Sequence, residues 1–145
     1  MPQLHETKIL PHRAEDLFNL VLDVEKYPEF LPWATKSRVY RRDETSFLAD
    51  LTIGYKLLNE SYTSRITFER PQKIHVEYVD GPFKWMTTDW KFDPVDDYKT
   101  LVDFQIDFAV NSSLLAPIFD TFFHEASRRL LSAFEERAKV VIKKG

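Results

Sequence analysis

Between residues 34 and 110 the chain changes side-chain character at every second position, and beyond residue 114 at every third or fourth. Period two belongs to strands with one buried face, and a period near 3.6 belongs to an amphipathic helix. This switch restricts the fold more than any other feature. Val102, Phe104, Ile106, Phe108 and Val110 alternate with Asp103, Gln105 and Asp107. Met86, Thr88, Trp90 and Phe92 alternate with Thr87, Asp89 and Lys91, and Ile74, Val76 and Tyr78 with Lys73, His75 and Glu77. Tyr62, Ser64, Ile66 and Phe68 share a face in a run from Asn59 to Glu69, as do Phe47, Ala49, Leu51, Ile53 and Tyr55 between Ser46 and Tyr55. Lys36 to Arg42 is a further strand. RPQK, VDGPF and PVDDYK read as turns, on their prolines, glycine and aspartates.

The two ends complete the order. Leu4 to Leu10 is predicted as a strand near a sheet edge, stopped by Pro11. AEDLFNLVL follows with Leu17, Leu20 and Val21 at helical spacing, and Glu15 and Asp16 favour the helix dipole at its start. A second short helical piece covers Val24 to Phe30, with Pro32 expected to end it. After NSS, the residues Phe119, Phe123, Ala126, Leu130, Phe134, Arg137 and Val141 recur at helical spacing. They predict one helix from Leu114 to about Ile142, capped by Ser112 or Ser113, with Pro117 in its first turn. A sheet with one apolar face needs a cover, and the long helix is the available one. The expected fold is α+β: a curved antiparallel sheet wrapped around a long C-terminal helix, with two short helices after the first strand. At 145 residues the chain is read as a single domain over 1–145.

Composition removes several function classes. Without cysteine there is no disulfide, thiolate nucleophile or cysteine metal site. Gly54, Gly81 and Gly145 are the only glycines, too few and too dispersed for a phosphate-cradling loop. His5, His12, His75 and His124 form no metal-binding spacing. Asp96 with Asp97 and Glu135 with Glu136 read as solvated charge. The formal net charge of -3 gives no overall attraction to nucleic acid. No apolar run is long enough to span a bilayer. MPQLHETK lacks the apolar core of a secretory signal, so the expected compartment is the cytoplasm.

One segment stands apart. VEKYPEFLPW, Val24 to Trp33, holds two prolines and three aromatic residues in ten residues. As packing, it is a plug of Tyr27, Phe30 and Trp33 on a path set by Pro28 and Pro32. As function, it is an ordered lid on the cavity between sheet and helix, where tyrosine and tryptophan offer an apolar body and one polar hydrogen. The inward strand residues carry the same pair of readings, core or cavity wall. Tyr62, Tyr78 and Thr88 add hydroxyls that need partners wherever they are buried.

YPEFLPW, Tyr27 to Trp33, resembles a signature of the coenzyme Q-binding protein COQ10 family. GPFKWMTTDWKF (Gly81 to Phe92), VDFQIDFAVNSSLLAPIF (Val102 to Phe119) and AFEERA (Ala133 to Ala138) are similar to three further motifs of that family, in order along the chain. Trp85 stands where leucine is usual, and the C-terminal tyrosine-glycine is absent. The resemblance implies a START-like helix-grip fold of the polyketide cyclase superfamily. It implies a non-catalytic role, holding ubiquinone or a related prenylated quinone in a hydrophobic cavity in support of respiration or quinone biosynthesis. It carries no cofactor beyond that ligand, and the absence of a mitochondrial targeting extension suggests a bacterial member. The expected ligand-binding residues are Tyr27, Phe30, Leu31, Pro32, Trp33, Tyr62, Tyr78, Phe83, Met86, Trp90, Phe104 and Phe123. The family also includes RatA-type ribosome-association toxins, so the large ribosomal subunit is the alternative partner. A cyclase-like enzyme is the third reading. Lys36, Arg38, Arg41 and Arg42, with Arg128, Arg129, Arg137, Lys139, Lys143 and Lys144, would supply cations for RNA or for peripheral contact with an anionic inner membrane.

Overall fold

The computed structural model describes residues 3–56, 58–110 and 113–142, with the side chain of Ser127 left aside. In chain order the elements are β1 (Gln3–Leu10), α1 (Ala14–Leu22), a 3₁₀ helix (Val24–Glu29), β2 (Ala34–Tyr40), β3 (Ser46–Tyr55), β4 (Leu58–Glu69), β5 (Lys73–Asp80), β6 (Phe83–Asp96), β7 (Lys99–Val110) and α2 (Ala116–Val141). The seven strands form one antiparallel sheet in the order β1-β7-β6-β5-β4-β3-β2. β2 to β7 run as successive hairpins. β1 returns to pair with β7, leaving β1 and β2 at the edges. The edge position expected for Leu4–Leu10 is therefore correct.

The alternation determines which face is concave. Phe47, Ile53, Ile66, Met86, Trp90, Phe104, Ile106 and Phe108 are buried on that face, and β7 buries every second residue from Thr100 to Phe108. Each such side chain contributes roughly 1.5–3 kcal/mol by leaving water. α2 lies across the concavity, and Trp90 meets Phe134 with ring centroids 5.4 Å apart. Polar contacts fasten it, among them Lys8 of β1 to Glu135 (2.7 Å), Arg137 to Glu29 of the 3₁₀ helix (2.7 Å), and the Tyr55 hydroxyl of β3 donating to Glu125.

Several boundaries differ from expectation for local reasons. β6 extends to Asp96, through the segment predicted as a turn, with a register irregularity at Pro94, which has no N–H to give to a ladder. β2 stops at Tyr40, because Arg41 adopts φ 53°. The N-cap of α2 is Leu115 and makes no side-chain cap; Ser113 lies in the preceding turn, and Ser112 falls outside the described residues. Pro117 sits in the first turn, where a missing N–H costs nothing. Val141, placed on the apolar stripe from its spacing, is 44% exposed. The buried line runs instead through Phe119, Phe122, Ala126, Leu131, Phe134 and Ala138.

Candidate functional site

The sheet and α2 do not close on each other completely. Between them lies an apolar cavity of about 140 Å³. Its walls come from β3, β4, β5, β6 and β7 on one side and from Phe122, Phe123, Ala126, Leu130 and Phe134 of α2 on the other. The 3₁₀ helix and the turn after it close one end with Val24, Tyr27, Leu31 and Trp33. That turn is held by backbone bonds from the Phe30 and Leu31 amides to the Tyr27 carbonyl (3.1 and 2.9 Å) and from the Ala34 amide to the Leu31 carbonyl (3.0 Å). Pro32 lies outside this ladder, so its missing N–H removes nothing.

Among the residues predicted as a site, Tyr27, Leu31, Trp33, Tyr62, Trp90, Phe104 and Phe123 line this cavity. Phe30 and Pro32 lie instead on an outer groove of about 500 Å³, together with Tyr55, Lys56, Glu125 and Arg129. Trp33, Phe122 and Ala126 face both spaces and form the partition between them. Tyr78, Phe83 and Met86 stand apart from the cavity lining. The Phe83 ring lies in an aromatic cluster with Tyr62, Tyr78, Phe108 and Phe119, at centroid distances of 5.1–5.9 Å. The Tyr78 hydroxyl accepts a hydrogen bond from the Phe83 amide at 3.1 Å, and Met86 is core. These three share the inward alternation but sit at the end of the sheet that the helix start fills. Ser64, Thr88 and Phe122 are wall residues absent from the predicted set. Phe122 had a signal in its i,i+4 spacing with Ala126.

Chemically the cavity is apolar with a few hydroxyls. Its lining holds no carboxylate, imidazole or amine among the described residues. Burial, with the neighbouring Tyr62 and Asp23 adding to it, holds the Tyr27 phenol far above the usual tyrosine range, and its hydroxyl donates to the Val21 carbonyl. Burial likewise raises the Tyr62 phenol. Both therefore remain neutral donors at any physiological pH. Ser64 is 3% exposed, and its Oγ has no hydrogen-bond partner among the described residues; Thr88 is buried beside the same space.

The histidines lie elsewhere. His75 meets Asp89 (2.7 Å) and Glu77 (3.1 Å), and His5 meets Asp103 (2.8 Å). Buried His12 receives the Thr100 hydroxyl on its backbone carbonyl at 2.8 Å. Among the described residues no three His, Cys, Asp or Glu side chains converge on a metal-sized site. The candidate cations are partly engaged: Arg42 pairs with Glu25, Arg137 with Glu29 and Lys139 with Glu136 (3.2 Å). Lys143 and Lys144 lie outside the described residues. No helix among the described residues is long and apolar enough to cross a membrane.

Known proteins resemble this chain in sequence or in fold. The ribosome association toxin RatA of Rickettsia prowazekii is 35% identical over 99% of this chain and 100% of its own length. The protein of the same name from Escherichia coli K12 is 33% identical over 97% of this chain and 89% of its own. The mitochondrial coenzyme Q-binding protein COQ10 of Drosophila melanogaster is 29% identical over 91% of this chain, which spans 56% of that protein. Among solved structures, an 18 kDa protein of Caulobacter crescentus is 34% identical, covers 97% of this chain and 98% of its own, and superposes with a TM-score of 0.79. The Zhui aromatase/cyclase of a Streptomyces species shares the fold at a TM-score of 0.87 and 14% identity, over 98% of this chain and 96% of its own. The family profile described as polyketide cyclase / dehydrase and lipid transport matches residues 10–135, so a START-like chain with its cavity between sheet and gripped helix belongs to that family.

Proposed function

We propose that this chain is a non-catalytic binding protein that takes an apolar small molecule into the cavity between the sheet and α2. The observation that carries this reading is the cavity lining: aromatic and aliphatic side chains with isolated hydroxyls, and no group able to exchange a proton near neutral pH. Small-molecule sites are typically concave, apolar and furnished with few polar groups. Extraction of the protein from its own host with organic solvent, followed by mass spectrometry, tests the reading. An apolar compound in stoichiometric amount supports it; an extract free of such a compound counts against it.

For the cellular role, the relatives favour ribosome association over ubiquinone chaperoning. The RatA-named proteins are more similar to this chain, and match it over more of their own length, than the COQ10 protein does. Exposed Arg128 and Arg129 of α2, with Lys36 and Arg38 on β2 and Arg41 just beyond it, are among the cations open to RNA. Sedimentation of a host lysate through a sucrose gradient decides between the roles. Co-migration with large subunits that is lost at high salt supports the RatA-type role. Migration with membranes or free protein, with a quinone in the extract, supports the carrier role.

A further inference from the structure

The two edges of the sheet are built differently. β2 carries a register irregularity between Ala34 and Lys36, like charges on exposed Lys36 and Arg38, and the 3₁₀ helix packed against it. Bulges, cations and covering elements are the usual devices that keep an edge strand from pairing with another chain. β1 follows β7 residue for residue from Gln3 to Leu10 without a shift, and no proline interrupts it. Its lysine, Lys8, is drawn toward α2 by Glu135 at 2.7 Å and so does little to repel an incoming strand. Glu6 shares the face of Lys8 and has no ion-pair partner among the described residues. On the other face Ile9 is 54% exposed beside Leu101 of β7. The strand thus presents a regular backbone edge with one unpaired carboxylate and one exposed aliphatic side chain.

A second β1 can add antiparallel about a two-fold axis normal to the sheet, which keeps both concave faces on one side. An axis passing between residues would set inward side chains against outward ones, so the axis must pass through a residue. Opposite charges directly across a strand pair stabilise it and like charges destabilise it. Centred on Glu6, the pairing opposes two carboxylates; centred on Lys8, it opposes two ammonium groups. Centred on Thr7, it opposes Glu6 of each copy to Lys8 of the other and covers each Ile9 with a His5 ring. Pro11, without an N–H, then ends the ladder opposite Gln3. The geometry points to a homodimer in which two β1 strands pair about Thr7 and join the two seven-stranded sheets edge to edge. Leu4 lines the cavity and Lys8 holds α2, so the joint runs along one wall of each cavity. A single strand pair is smaller than a standard interface, so the dimer is weak and depends on concentration.

Sedimentation velocity of the purified full chain over a concentration series should show a monomer–dimer equilibrium. Glu6→Lys should weaken it by on the order of tenfold or more, because both cross-strand ion pairs become repulsions. Lys8→Glu combined with Glu135→Lys should do the same while keeping the ion pair between strand and helix. Mixing these two variants should restore association to within about threefold of the parent, since each charge then meets its opposite across the joint. A fold damaged by either variant would not be rescued by mixing. A covalent readout is independent of charge. The chain has no cysteine, so Thr7→Cys and Ile9→Cys each introduce a single exposed thiol. Thr7 faces its own copy at about 5 Å, whereas the two Ile9 positions lie roughly 13 Å apart along the strands. Mild oxidation should therefore link Thr7→Cys chains about tenfold faster than Ile9→Cys chains, because a disulfide tolerates little separation. A dimer indifferent to charge reversal, or equal oxidation rates, would overturn the pairing. A chain that stays monomeric throughout would overturn it too, and leave the edge to a strand from another protein.

Discussion

Phe134 ties three parts of the molecule together, and its truncation should be the most damaging single change in α2. The side chain is 2% exposed. Its ring makes edge contacts with Tyr27 and Phe30 of the lid and with Trp90 of β6, at centroid distances of 5.5, 5.1 and 5.4 Å. Replacing a buried Phe by Ala costs about 3–5 kcal/mol, the lost transfer energy plus the cavity left behind. Aromatic pairs add about 0.5–1.5 kcal/mol each beyond area burial, which favours the upper part of that range. Stability near the melting point changes by about 2–4 °C per kcal/mol for a chain of this length, so Phe134→Ala should lower Tm by on the order of 10 °C or more. Val141→Ala is the control. Spacing alone puts Val141 on the same stripe, but it is 44% exposed, so its truncation should stay within about 0.5 kcal/mol. Differential scanning calorimetry of the two variants beside the parent provides the comparison. Equal losses would refute the helix rotation described above, and a Phe134→Ala loss below about 1 kcal/mol would refute the packing of α2 on the sheet.

Three further outcomes follow from the same geometry. Gly81→Ala should destabilise by about 1–3 kcal/mol in chemical denaturation, because Gly81 has φ +143° and a new Cβ would stand 2.7 Å from Tyr62 Cβ. His75 loses some proton affinity to desolvation, but its bonds to Asp89 and Glu77 outweigh this and raise its pKa above the ordinary 6.5. Its contribution to stability is therefore fully present below about pH 6.5 and fades as pH rises through the folded value; His75→Gln should flatten that part of the Tm-against-pH curve, and an unchanged slope would contradict the assignment. Trp33→Ala should keep the fold, since Trp33 is half-buried at the partition, and should speed ligand release in stopped-flow dissociation; an unfolded variant would make the segment a packing plug only.

The strands were legible because period two is a direct consequence of a one-sided sheet. Val102, Phe104, Ile106 and Phe108 could face only one way together, and all four are buried. The long helix was legible for the same kind of reason, yet its rotation was not. A line through Phe123, Leu130 and Val141 and a line through Phe122, Leu131 and Ala138 both pass through Phe119, Ala126 and Phe134, and 3.6 residues per turn satisfies either over 26 residues. Only the sheet's curvature selects the second, with Phe123 and Leu130 turned to the cavity wall. The same curvature explains the mixed placement of the expected ligand residues. Phe83 and Trp90 lie on one face of one strand, but the first meets the start of α2 and the second meets the gap beside it. Ser64 was visible as an inward polar residue; that no described residue bonds its hydroxyl depends on how the neighbouring strands pack beside it.

A crystal structure of the protein purified from its own host, without lipid stripping, tests the central claim most directly. Continuous density for an apolar molecule is expected inside the cavity between the sheet and α2, against Trp90, Phe104 and Phe134. A cavity collapsed by inward movement of α2, or density for a ligand in the outer groove alone, would contradict it.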